Sequence, residues 1–221
     1  MNTLALRNFL RQGARSFLNI FISGFSVVAI VFMLSLLNGF QAQATRNLTK
    51  TDVGGGQYRV PGFDLLTPTE WEDHVRKVPE RLQNHSHAVE ILIVQGELYP
   101  KNRLFPVQLR GLEMGKMLLD LPLEGLEKHG TMIGDEIPVV LGARMAKKSH
   151  LEKGDRVTLK WRDKFGAVDA REIVVLDTAT MINPRIDEGI VWLRLDHLRK
   201  LTHRPGEVSW VTVPDYIGPE E

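Results

Sequence analysis

The stretch FLNIFISGFSVVAIVFMLSLLNGF, residues 17–40, is almost wholly apolar, and no charged side chain occurs between Arg15 and Arg46. At about 1.5 Å of rise per helical residue, such a run crosses the roughly 30 Å hydrocarbon core of a bilayer, so it reads as a membrane-spanning helix. Three arginines precede it, Arg7, Arg11 and Arg15, and the first acid of the chain is Asp52. The excess of cations before the span keeps the amino end in the cytoplasm by the positive-inside rule, and the bulk of the chain then lies on the far side. Arg7, Arg11 and Arg15 share one helical face, so residues 1–16 read as a short amphipathic segment on the cytoplasmic surface.

A cleavable signal peptide is the rival reading, because Ala42-Gln43-Ala44 has the small-x-small form of a processing site. Signal-peptide apolar regions run about 7 to 15 residues, shorter than this one, which favours a retained span. Within the span Asn19, Ser23 and Ser26 fall on one helical face, and Ser35 and Gly39 form a small-x-x-x-small pair. Small and hydroxylated side chains let another membrane helix approach closely, although a lone span also tolerates them.

Of the 28 Lys+Arg, three precede the span, leaving 25 against 27 Asp+Glu, a net of −2 for the remainder. No clustered basic face is visible, which argues against nucleic-acid binding. There are no cysteines, so the exported portion relies on its core and not on disulfides. Roughly 175 residues after the span suffice for one domain or two small ones.

Residues 41–56 read as a linker in which Gln41 to Asp52 extends the helix until the three glycines 54–56 end it. Gln57 to Val60 reads as a strand. A helix then opens at Thr67 or Thr69 with Pro68 in its first turn, and Trp71, Val75, Val78 and Leu82 follow at helical spacing until Pro79 interrupts. Ala88 to Val94 has apolar residues on both faces, as a buried strand does. Leu104 to Leu112 reads as a strand, residues 111–115 as a short helical patch, Ile137 to Leu141 as a strand and Ala143 to Ser149 as a brief helix. After the Gly154-Asp155 turn, Val157, Leu159 and Trp161 alternate with polar residues, the pattern of a strand with one wet face. Ile173 to Leu176 repeats it. Gly189 to Leu195 reads as a strand, Asp196 as the cap of a helix carrying Leu198 and Leu201, and Val208 to Val213 as a last strand. The fold class is therefore α+β: one membrane helix, then a mixed α/β domain over 57–221 assembled from 57–100 and 186–221, with a β-rich subdomain inserted at 101–185.

Residues that suggest chemistry are few. His85 and His87 lack a third ligand at metal-site spacing and read as a solvated loop. Glu70, Glu72 and Asp73 are first-turn acids that a helix dipole explains. Trp161, Trp192 and Trp210 sit in strand patterns as core or interface residues. Arg185, Asp187 and Glu188 form a charged turn, either solvated or docking a partner. No phosphate-binding G-x-x-x-x-G-K-[ST], no G-x-S-x-G and no cysteine nucleophile occurs, so no catalytic, cofactor or metal site is expected.

The passage Val140-Leu141-Gly142-Ala143-Arg144-Met145-Ala146, followed by Gly154-Asp155-Arg156-Val157-Thr158-Leu159, resembles the "LG-x-x-x-A … GD-x-V-x-L" segment of the extracytoplasmic domain in FtsX/MacB/LolC-like ABC transporter permeases. Leu6-Arg7-Asn8, Asn38-Gly39-Phe40, Gly56-Gln57-Tyr58-Arg59-Val60, Val107 to Gly111, and Asp187 ahead of Ile190 to Leu193 are similar to that family in the same order. The resemblance implies that the two-ended α/β part is porter-like and that the chain is a permease subunit or its amino-terminal half. It implies a bacterial inner-membrane protein with a periplasmic or extracellular domain, of the lipoprotein-release or exporter type, that moves in response to ATP hydrolysis. The partners implied are a separate ABC ATPase, a second permease subunit, and a lipoprotein or periplasmic adaptor. Family members usually continue into three further membrane helices, so the resemblance also implies a permease truncated before them, whose partner half lies in another chain. From the residues alone, a stand-alone membrane-anchored binding domain remains the alternative.

Overall fold

The computed structural model describes residues 13–64, 67–83, 87–116, 118–131, 136–181 and 184–214. The amphipathic segment expected over residues 1–16 falls largely outside these, as does His85. The chain divides into two compact units, residues 1–47 and 48–221.

The first unit is built on helix α1, Gly13–Leu48, 36 residues with no buried side chain. Its large apolar residues, from Phe17 to Phe40, are exposed along the whole run. A helix of this length measures about 54 Å, more than a hydrocarbon core needs. One helix of the described chain is thus long and apolar enough to cross a membrane. The helical path continues through a wider turn at Thr49–Val53 and stops at Gly54, whose φ is +64° and whose N–H returns to the Thr49 carbonyl at 2.8 Å. A Cβ at residue 54 would lie 2.5 Å from the Thr212 methyl, so both dihedral and space demand glycine.

The second unit is organised by one mixed sheet of eight strands: β1 (Gly56–Arg59), β3 (Val89–Leu98), β4 (Phe105–Leu112), β5 (Ile137–Gly142), β6 (Arg156–Arg162), β7 (Val168–Ala179), β8 (Ile190–Arg194) and β10 (Trp210–Val213). Their order is β1-β10-β3-β4-β8-β5-β7-β6, and β6 pairs again with β3. Strands β3, β4, β8, β5, β7 and β6 therefore close into a ring. Ten-residue β3 makes the closure possible, because Val89 to Ile91 pair with β10 while Gly96 to Leu98 pair with β6. Two pairings are parallel, β4 with β8 and β5 with β7. Short strands β2 (Arg76–Lys77) and β9 (Glu207–Val208) form a separate ribbon.

Alternating side chains send one set into the ring and the other outside it. Leu92, Val94, Leu109, Val139, Leu159, Val175 and Val191 fill the interior together with Met145 of α4 (Ala143–Ser149) and Leu198 of α6 (Leu195–Leu201). The opposite face carries Ile91, Ile93, Trp192 and Trp210, covered by Trp71, by Leu126 of α3 (Glu124–His129) and by Met181. Central strands are thus buried on both sides, which is why β3 and β5 read as nearly continuous apolar runs. Strand β6 keeps one wet face, as its alternation predicts. At Gly96 and Gly111 a Cβ would press on Leu109 and Leu198 at about 3.0 Å, so the two glycines admit interior side chains.

Several local expectations are corrected. Residues 68–82 do not form one helix. Pro68–His74 is a 3₁₀ helix, Val75 turns extended, β2 pairs with β9, and only α2, Glu80–Gln83, is α-helical. Trp71, Val75, Val78 and Leu82 are nonetheless all buried, so the spacing reported burial correctly and geometry wrongly. Residues 111–115 form a strand end and a turn, with Gly115 at φ +86°. Arg194, not Asp196, occupies the N-cap of α6, and the Asp196 carboxylate is held by the Arg194 guanidinium at 3.1 Å. Strand β7 runs well past residues 173–176 in both directions. Replacing Leu109, fully buried inside the ring, by alanine is expected to cost about 2–5 kcal/mol in denaturant unfolding of the chain in micelles.

Candidate functional site

The residues just after α1 meet the outer face of the sheet. Asp52, in the wide turn, accepts a hydrogen bond from Arg110 Nη1 at 3.0 Å. Arg110 is only 4 % exposed, and its second terminal nitrogen donates to Gln108 Oε1 at 2.8 Å. The guanidinium carbon lies 5.1 Å from the Trp192 ring centroid and 5.4 Å from that of Trp210. Arg59 continues the row, at 5.0 Å from Trp210 and 5.7 Å from Phe63. Cations and aromatic faces thus alternate across the sheet. Burial pulls the Arg110 pKa below its ordinary value, and the charge and hydrogen bond of Asp52 oppose that pull. Each aromatic contact contributes about 0.5–2 kcal/mol, whereas leaving a buried guanidinium unpaired costs more. Asp52 is therefore the residue on which the row depends. The Gln57 amide fixes that turn by donating to the Asp52 carbonyl at 2.6 Å.

A second cluster joins two of the sequence motifs. Gly142 ends β5, and a Cβ there would lie 2.1 Å from the carbonyl oxygen of Asp187 in α5 (Pro184–Gly189). The Asp187 carboxylate accepts from the Arg144 N–H at 3.3 Å and the Met181 N–H at 3.4 Å, and pairs with the Arg144 guanidinium at 3.4 Å. Asp187 is 1 % exposed. The charged turn read from sequence is thus a helix whose central acid points inward, and Asp187 is not available to a partner. Glu188 is exposed, 4.0 Å from Arg144, while the Arg185 side chain lies outside what is described. The Gly154-Asp155 motif is also structural. Gly154, at φ +91°, donates its N–H to the Val175 carbonyl at 2.7 Å, and Asp155 accepts from the Glu152 N–H at 2.8 Å.

A third cluster lies at the β2–β9 ribbon. Arg204, buried, pairs with Glu207 at 3.2 Å and Glu72 at 3.7 Å, and Lys164 also reaches Glu207. Burial pushes the Glu72 carboxyl up, and Arg204 pulls it back. These acids are engaged by cations, and among the described residues no group of three His, Cys, Asp or Glu could hold a metal ion.

In α1, Asn19, Ser23, Ser26, Ser35 and Gly39 are all exposed. The Ser26 hydroxyl donates to the Ile22 carbonyl at 2.7 Å, so it is already satisfied within its own helix. Nothing in sequence pointed to the Asp52–Arg110 pair, because 58 residues separate its members.

No protein-family model matches the chain, and no curated protein matches it. Among solved structures, it is similar to the periplasmic region of MacB from Actinobacillus actinomycetemcomitans, with 11% identity, a TM-score of 0.43, and coverage of 74% of this chain and 76% of that one. It is also similar to the extracellular domain of the noncanonic ABC-type transporter YknZ from Gram-positive bacteria, with 11% identity, a TM-score of 0.42, and coverage of 74% and 84%.

The buried pair predicts an asymmetric mutational response. Asp52→Ala strands the guanidinium and is expected to cost about 3–5 kcal/mol, whereas Asp52→Leu combined with Arg110→Met is expected to cost less. Denaturant unfolding of the two variants checks this. Gly142→Ala is expected to destabilise by several kcal/mol more than Gly189→Ala, whose Cβ meets nothing, by the same measurement.

Proposed function

We propose that the chain is a permease subunit of an ABC transporter, or the amino-terminal half of one, of the lipoprotein-release or exporter type. In this reading α1 spans the inner membrane with its N-terminus in the cytoplasm, and residues 57–221 stand on the periplasmic or extracellular side. Within them, 57–100 with 186–221 form a porter-like part and 101–185 a β-rich insert. The observation that carries the reading is one apolar helix of membrane-crossing length followed in the chain by a mixed α/β domain. Helix α1 passes without a break into the Thr49–Val53 turn, and Asp52 of that turn is fastened to Arg110 in the buried face of the sheet. The ordered motif resemblance supports the family reading.

In this reading nucleotide is hydrolysed by an ABC ATPase outside residues 1–221, which carry no phosphate-binding loop. A second permease subunit packs on the face of α1 that bears Asn19, Ser23 and Ser26, and on Ser35 and Gly39. Ser26 contributes there by its small size, because its hydroxyl is bonded within the helix. Glu188 with Arg185 docks a lipoprotein or periplasmic adaptor.

Two measurements test the reading. Protease added to intact spheroplasts is expected to trim residues beyond α1 while sparing the amino end. The chain extracted from membranes is expected to co-purify with an ATPase whose hydrolysis falls severalfold in Asp52→Ala. Protection of the folded domain from protease, or extraction free of any ATPase, overturns it.

A further inference from the structure

Helix α6 packs on β3, β4 and β8 and is held there by Leu195, Leu198 and Leu201, all buried. Among these apolar residues sits His197, only 4 % exposed. Its Nδ1 has no hydrogen-bond partner among the described residues, and its Nε2 lies 3.8 Å from the Asp196 carboxylate, beyond hydrogen-bond reach. A protonated imidazole would bring a charge and two N–H donors into this position with no acceptor within reach. Burial accordingly pulls the His197 pKa below its ordinary value; Arg194 and Lys200 add to the pull, and Asp196 opposes it.

The strands beneath the helix offer a charged ring no relief. Along β3 the even-numbered side chains Leu92, Val94 and Leu98 face into the ring, so Glu90 is the one acid of the three strands on that side, and Arg199 holds it at 2.7 Å. Glu97 alternates to the outside, where Tyr99 and Lys160 engage it. Arg110 of β4 lies on the outer face with Asp52, and Arg194 at the end of β8 is held by Asp196 at 3.1 Å. The end of α6 in turn fastens the hairpin between β6 and β7. The Leu201 carbonyl accepts from the Trp161 indole N–H at 3.0 Å, and the Thr202 carbonyl accepts from the Lys164 N–H at 3.0 Å. We propose that His197 is an acid-sensitive latch, whose protonation releases α6 from the ring and frees the β6–β7 hairpin with it. The docked helix accepts the neutral ring, so its stability is full above the unfolded-state pKa of about 6.5 and falls as the pH drops below that value. The latch belongs to the folded unit alone and is independent of the transporter reading.

Hydrogen exchange of the full chain in phosphatidylcholine nanodiscs tests it, expressed as protection factors so that the intrinsic pH dependence of exchange is removed. Protection of Leu198 to Thr202 and of Lys164 is expected to fall about tenfold between pH 7.5 and 5.5, the limit set by one pH unit below 6.5, while Val139 to Leu141 of β5 keep theirs. His197→Gln and His197→Met are each expected to remove the fall. His203→Gln, which alters the exposed histidine 3.5 Å from Asp163, is expected to leave it intact. Constant protection in the unaltered chain, a fall that survives both His197 substitutions, or a parallel loss across β5 overturns the proposal.

Discussion

A full positive charge on the buried face of a sheet constrains everything around it. Arg110 sits between Trp192 and Trp210 because aromatic faces are among the few apolar surfaces that favour a guanidinium. Its charge must still be balanced, and the balancing carboxylate arrives from Asp52, before the first strand of the domain. The wide turn at Thr49–Val53, the stop at Gly54 and the Gln57 amide all place that one side chain. Without the Asp52 carboxylate the cation would be left unpaired, at a cost of about 3–5 kcal/mol. The stability of the sheet is thus tied to a turn that precedes its first strand.

The same sheet shows what its sequence disclosed. Strands buried on both faces announce themselves as unbroken apolar runs, as Ile91 to Val94 and Val139 to Leu141 do, and β6 announces its wet face through Val157, Leu159 and Trp161. Burial is written locally because hydrophobic side chains reflect their own surroundings. Pairing is not. Nothing in β3 indicates that its two halves serve different neighbours, β10 and β6, so ring closure was not legible. The stretch from Trp71 to Leu82 makes the distinction sharp. Its four apolar residues are spaced for one helix and all are buried, yet Pro79 and the pairing of Arg76 with Val208 divide it into three elements.

Charged residues were the least legible. Arg110 alternates with Leu109 as a wet-face residue would, and Asp187 sits between Arg185 and Glu188 as a surface acid would. Both are buried, and in each case the reason is a partner that the fold supplies: Asp52, 58 residues before Arg110, and the Arg144 and Met181 amides, 43 and 6 residues before Asp187. A buried charge is decided by its partner, and a single sequence does not state partners.

This bears on what a motif can say about function. Gly142, Gly154 and Asp187 are the residues that make the chain look like a permease, and each is explained by a contact inside the domain: a carbonyl at Gly142, a left-handed turn at Gly154, two backbone amides at Asp187. Such residues specify a backbone, and other proteins with that backbone need them whatever they bind. Surfaces that meet partners obey a different rule, because their side chains must remain unsatisfied until the partner arrives. Asp187 does not meet that condition, because its carboxylate is engaged inside the domain.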